Sequence, residues 1–127
     1  MPVLPYSVEI HDSKLARIER RGSNVHISLS PAYIHRDGKG WNQEVEIIVH
    51  EAVLNFGGVS MPTTLSDGFM QTMLGPYHNL FMIPFEVSGP VVLELEDIDG
   101  AKIHVKGNGV SHQFKGEAVF VEDYPCT

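Results

Sequence analysis

Hydrophobic and polar residues alternate with a period of two in several short stretches of the chain. The clearest case is Val25, Ile27 and Leu29, which alternate with His26 and Ser28. Such alternation predicts a β-strand that turns one face towards a core and the other towards solvent. No comparable stretch shows the period of a helix, so an architecture of alternating strands and helices is not expected.

The same alternation, interrupted by turn signals, predicts strands along the whole chain. The strongest hairpin turns at Asp99-Gly100, because this dipeptide supplies the backbone angles of a tight turn. About eight or nine regularly spaced strands predict an all-β domain, a mainly antiparallel β-barrel or β-sandwich, and a single domain over residues 1–127. The strands are predicted over Lys14–Arg20, Val25–Leu29, Val45–Val49, the hairpin Val91–Lys106, Val110–Phe114 and Ala118–Val121. Phe69–Leu74 is interpreted as a further strand, with one helical turn as the alternative, because Met70, Met73 and Leu74 are also spaced for a helix face.

Proline and glycine set the predicted boundaries of these strands. Pro31 is expected to end the second strand or to place it at an edge, because proline cannot donate a hydrogen bond to a ladder. Gly107-Asn108-Gly109 is expected to form a turn. The last residues, Glu122–Thr127, are expected to form a short acidic tail.

Charge and composition limit the classes of partner. Nine Lys and Arg against 16 Asp and Glu give a net charge of −7, which argues against nucleic acid and against an anionic membrane as partners. The N-terminal residues lack the features of a signal peptide, and Cys126 is the only cysteine, so a cytoplasmic protein without disulfides is expected. No cofactor-binding motif occurs, and no cofactor is predicted.

Seven histidines raise the question of a metal site. No two of them are three to five residues apart, as in a zinc-binding motif. Distant histidines can still converge in a fold, and the candidates for such a site are His11, His35, His78 and His112. His26 and the carboxylates Glu44 and Glu46 lie at polar positions of their strands and are expected to be solvated.

A candidate binding surface surrounds the loop that follows the second predicted strand. Tyr33, His35, Arg36 and Trp41 bracket this glycine-containing loop, and tryptophan and arginine are enriched at binding hot spots. The alternative is that Trp41 belongs to the core and the rest is a loop. Tyr77 and His78 form a second, smaller candidate cluster.

Two stretches of the chain are similar to known proteins. The segment His11–Ile18 with the strand Val25–Leu29, and the closing segment from Gly109 to Glu122, resemble small bacterial all-β domain families without an assigned activity. The resemblance implies an all-β fold in a bacterial protein. It implies no catalytic residues.

Two classes of function follow from these patterns. The first is a non-enzymatic protein-interaction or accessory module, since the acidic chain shows no catalytic constellation and has a candidate aromatic–basic surface. The second is a small-ligand- or metal-binding β-barrel, enzymatic or not, whose histidines meet in a cavity. A protein partner is expected in the first case. A homodimer is a further candidate, because closed two-fold dimers are the commonest oligomers.

Overall fold

Extended backbone dominates the structure, a computed structural model that describes residues 6–56, 59–83 and 85–123. The described residues form ten β-strands. The prediction of an all-β, mainly antiparallel fold is confirmed, with ten strands where about eight or nine were expected. The strands are β1 Ser7–Glu9, β2 Lys14–Arg21, β3 Asn24–Arg36, β4 Lys39–Val49, β5 Val53–Phe56, β6 Thr63–Thr72, β7 Gly75–His78, β8 Leu80–Met82, β9 Val87–Asp97 and β10 Lys102–Asp123.

Six of these strands are hydrogen-bonded into a closed circuit. The order is β2–β6–β9–β10–β4–β3, and β3 pairs again with β2. Every second residue of these strands points into the circuit, which explains the alternation in the sequence. The buried apolar residues include Val25, Ile27, Leu29, Val45, Ile47, Val49, Leu93, Leu95, Ile103 and Val105.

The longest strands leave the circuit and form a second part of the same sheet. We call this part the extension; it consists of β8, β1, residues 32–36 of β3, residues 39–43 of β4 and residues 118–123 of β10. Register shifts between Leu29 and Ala32 and between Lys115 and Val119 mark the points where β3 and β10 enter it.

Pro31 lies at the first of these shifts, and the prediction that it ends the strand is wrong. The register shift removes Pro31 from the regular ladder with β4, so β3 continues to Arg36 without the donor that proline lacks.

The predicted turn at Gly107-Asn108-Gly109 is also wrong, because all three residues lie inside β10. β10 passes close to the corner after β4, where the N–H of Asn108 donates to the carbonyl of His50 at 2.8 Å and the N–H of His50 donates to the carbonyl of Gly109 at 2.9 Å. A Cβ atom on Gly107 would come within 2.5 Å of the His50 carbonyl oxygen. Here glycine permits close passage of two backbones and does not reverse the chain.

The predicted acidic tail is only partly described. Glu122 and Asp123 belong to β10, whereas residues 124–127, including Cys126, lie outside the described residues. In the described ranges no helix occurs that is long and apolar enough to cross a membrane.

Candidate functional site

The predicted cluster of Tyr33, His35, Arg36 and Trp41 is divided between the two faces of the extension. Directly paired residues of antiparallel strands share a face, and Ile34 pairs with Trp41. Arg36 alternates with His35 and therefore lies on the face of Trp41. Tyr33 and His35 lie on the opposite face.

The face of Tyr33 and His35 carries a polar cluster. His35 is 2% exposed, and its Nε2 lies 2.7 Å from Oε1 of Glu9, which accepts the hydrogen bond. The Tyr33 ring stacks on His35 with 5.2 Å between centroids, and its hydroxyl donates to Glu122 at 2.6 Å. Gly40 lies beneath Tyr33, and any Cβ there would overlap the ring. Glu9, which the sequence analysis did not single out, lies in β1 between β3 and β8, and His35 of β3 holds its carboxylate.

His11 and Asp12 complete a group of possible cation ligands beside Glu9. One ligand atom from each of Glu9, His11 and Asp12 lies within 4.8 Å of the others. His11 Nδ1 is 3.1 Å from an Asp12 oxygen, and both side chains are exposed. Since His35 also contacts Glu9, two of the four predicted histidines lie beside one carboxylate.

Ser13 follows this group and serves the backbone. Its hydroxyl donates to the carbonyl of Glu9 at 2.5 Å and accepts from the N–H of Tyr33 at 3.0 Å. Ser13 is buried, and these two bonds link β1 to β3. The adjacent residues His11, Asp12 and Ser13 therefore do not form a hydrolytic arrangement.

The second predicted cluster has other partners. His78 is exposed and lies 2.9 Å from Asp67 of β6. Tyr77 is half-buried and packs against the hydrophobic core. The structure therefore joins His78 to Asp67 and not to Glu9.

His112 lies on the core side of β10, opposite Ile47 of β4. Its ring centroid is 4.5 Å from that of Phe85 and 5.4 Å from that of Phe114. Its Nδ1 is buried and has no hydrogen-bond partner among the described residues. Burial lowers the pKa of His112, and the nearby charge of Glu86 opposes this only in part. His112 therefore packs against two aromatic rings, and its lowered pKa favours the neutral imidazole.

The other face of the extension presents an aromatic surface, which we define as Arg36, Trp41 and Phe120. The guanidinium carbon of Arg36 lies 4.6 Å from the centroid of Trp41, within the range of a cation–π contact. Phe120 meets Trp41 edge-on at 5.6 Å and is 49% exposed. Its neighbours Val119 and Val121 are 61% and 42% exposed.

Sequence reasoning missed Phe120, although a signal was present. Val119-Phe120-Val121 is an uninterrupted apolar triplet between Glu117 and Glu122. A strand with only one covered face would alternate apolar and polar residues. The triplet indicates apolar side chains on both faces at an edge.

A buried charge network lies outside the predicted clusters. Glu46 is 2% exposed, His26 Nδ1 donates to its Oε1 at 2.8 Å, and Lys115 Nζ donates to its Oε2 at 3.2 Å. Burial by itself raises the pKa of Glu46, but the hydrogen bonds and charges of His26 and Lys115 outweigh it and hold the pKa below its ordinary value. The prediction that Glu46 is solvated is wrong, because the neighbouring strands each contribute a side chain that covers it.

Among the described residues, one open depression of about 140 Å³ lies beside Asp67 and Glu94, and another of about 450 Å³ lies beside His50 and Glu86. Neither is lined by any of the four predicted histidine ligands. No protein-family model, no curated protein and no solved structure matches the chain.

Proposed function

We propose that the protein is a non-enzymatic protein-interaction module that binds its partner through the aromatic surface. The observation that carries this proposal is the edge-on pair of the exposed Phe120 and the half-buried Trp41, which packs against the core and has Arg36 over its indole ring. Tryptophan and arginine dominate binding energies at protein interfaces, and phenylalanine is enriched there. An exposed Phe120 that rests on a half-buried Trp41 gives a partner a rigid apolar anchor.

The charge of the chain favours a basic partner. A net charge of −7 attracts positively charged surfaces and increases the rate of association. The single cysteine and the acidic composition support a cytoplasmic setting, in line with the resemblance to bacterial families. A homodimer would use the same exposed residues and is an outcome that the experiments below can detect.

Exchange of an exposed aromatic residue tests the proposal. We expect Phe120→Ser and Arg36→Ala to reduce saturable capture of a partner from an extract of the producing cells by about tenfold, which is about 1.4 kcal/mol of binding free energy. Quantitative mass spectrometry of the captured proteins measures the effect. The matched control is Ile98→Ser, which removes a similarly exposed apolar side chain from the β9–β10 hairpin.

Retained folding of each variant is checked by circular dichroism and thermal unfolding. Equal capture by the wild type and both surface variants would contradict the proposal, as would the lack of any saturable partner. If Ile98→Ser reduced the captured amount as much as the surface variants do, capture would reflect non-specific adhesion and not a defined surface.

A second candidate function is binding of a divalent cation at Glu9, His11 and Asp12. The favouring observation is the convergence of their ligand atoms within 4.8 Å, next to His35, which fixes the Glu9 carboxylate. One imidazole and two carboxylates form a donor set that suits a transition metal such as Zn²⁺. His35 would then orient a ligand without binding the ion itself.

For the second candidate we expect Zn²⁺ to raise the melting temperature in a saturable way, because a ligand at a hundred times its dissociation constant adds about 2.7 kcal/mol to stability. His11→Asn should weaken Zn²⁺ binding at least about tenfold in isothermal titration calorimetry. The control is His104→Asn, which removes a histidine that pairs with Glu94 on another part of the sheet. Equal Zn²⁺ affinity in wild type and His11→Asn would rule this site out.

A further inference from the structure

The end of β10 forms an edge of the sheet. Within the part of the chain that the structure describes, residues 118–123 pair with β4 on one side and with no strand on the other. The outer side of such a segment presents backbone donors and acceptors that another strand can use. This edge adjoins the aromatic surface directly, since Phe120 belongs to both.

The usual protection of an edge is weak here. Lysine and proline commonly block edge strands, and residues 118–123 contain neither. Three consecutive residues, Val119, Phe120 and Val121, are exposed instead. The register shift between Phe120 and Glu122 marks a bulge that twists the end of the edge, which disfavours unlimited stacking of strands.

The two faces beside this edge differ in chemistry. Phe120 pairs with Trp41 and lies on the aromatic face, whereas Glu122 pairs with Gly40 and lies on the face of Tyr33 and His35. A strand added to the edge would turn alternate residues towards these two faces. Its residues on one side would meet apolar rings, and its residues on the other side would meet carboxylate.

The charges at the edge favour a foreign strand over a second copy of this chain. Residues 117–123 contain the carboxylates of Glu117, Glu122 and Asp123 and no basic residue. An antiparallel pairing of two copies centred on Phe120 would place Glu117 opposite Asp123. Like charges in directly opposed positions destabilise a sheet.

We propose that the partner binds by adding a β-strand of alternating apolar and basic residues to the free edge of β10 at residues 118–123. This inference rests on the proposed function and specifies its partner. Backbone hydrogen bonds supply the general affinity. The alternation supplies the specificity, with apolar residues beside Phe120 and basic residues beside Glu122.

The probe for this proposal is a short synthetic peptide in which valine and lysine alternate. We expect saturable binding by fluorescence anisotropy, together with protection of the backbone amides of residues 118–123 from hydrogen exchange. The same peptide with alternate amides N-methylated keeps its side chains and charge but loses the donors of one edge, and it should bind at least about tenfold more weakly. A peptide of identical composition with its valines and lysines in separate blocks should also bind weakly.

A matched pair of variants tests the charge on the Glu122 face. Glu122→Gln keeps a side chain that can accept from Tyr33 and should weaken binding of the alternating peptide about fivefold, with a smaller dependence on salt. Glu94→Gln makes the same exchange on exposed β9, remote from the edge, and should leave the affinity unchanged.

Each contrary result has a distinct meaning. Equal binding of the N-methylated peptide would overturn strand addition while leaving the interaction module intact. The same conclusion would follow if no peptide bound but capture of a natural partner still required Phe120. Concentration-dependent dimers that protect residues 118–123 would identify a second copy as the occupant and overturn the basic partner. If substitution of Phe120 changed neither peptide binding nor capture of a natural partner, the proposed function itself would be refuted.

Discussion

Replacement of Phe85 by alanine is expected to lower the free energy of unfolding by about 3–5 kcal/mol. Phe85 is buried, meets Phe81 edge-on at 6.2 Å and covers His112 at 4.5 Å. Its removal leaves a cavity against both rings, and the lost contacts and the cavity together set the cost. Equilibrium unfolding in urea measures the loss. The milder exchange Phe85→Leu keeps most of the apolar contact with His112 and serves as the control.

The same substitution should change the titration of His112. Burial lowers the pKa of His112 in the folded protein, so the unfolded chain binds the proton more readily. The stability that this group contributes is therefore present above its ordinary pKa and is lost as the pH falls through the folded-state pKa. In Phe85→Ala, water reaches the ring, and its pKa, followed by NMR, should rise towards the ordinary value. An unchanged His112 titration would show that Phe85 is not the group that desolvates it.

Replacement of Glu46 by alanine is expected to lower the free energy of unfolding by about 3–5 kcal/mol, because it leaves His26 and Lys115 without their buried hydrogen-bond acceptor. His26 is mostly buried, whereas Lys115 is partly exposed and can regain water, so the loss should fall towards the lower part of this range. The control is Glu44→Ala, which removes a more exposed carboxylate 3.8 Å from Arg17 and should cost less than about 1 kcal/mol. Equal losses in the two variants would contradict the buried network.

The pH dependence of the free energy of unfolding separates the effect of the Glu46 charge from the effect of its side-chain size. The pKa of Glu46 is lowered in the fold, so its stabilising contribution is complete above its ordinary pKa and disappears as the pH falls through the lower folded-state value. Glu46→Gln keeps the shape of the side chain and should remove this part of the acid dependence. Parallel stability curves for wild type and Glu46→Gln would show that the charge contributes nothing.

The strands that were predicted from a clear period of two lie in the closed circuit. Val25–Leu29 and Val45–Val49 have one face in the core, and this asymmetry imposes the period of two that sequence analysis detects. The short strands β1, β7 and β8 have three or four residues each and show no period. They become strands because longer neighbours offer edges for pairing, which is a tertiary effect.

The candidate site was only partly predictable for a related reason. Tyr33 and Trp41 are close in sequence, but the register of β3 with β4 places them on opposite faces of the extension. Glu9 and Phe120 reach the site from distant strands, so no local spacing connects them to it. Glu46 lies at a polar position in the alternating pattern of β4. Its burial depends on side chains from two other strands.

The two halves of β10 differ in how a deletion or an insertion of residues would affect the fold. Between Val110 and Lys115 the strand places His112 on the core side and Lys115 at Glu46, so a deletion there would move each residue to the wrong side of the sheet. The register shift between Lys115 and Val119 separates this half from the edge. Insertions at Gly116 or Glu117 would therefore alter the edge while sparing the core. Small length changes at this one point would thus alter the edge segment independently of the residues that form the core.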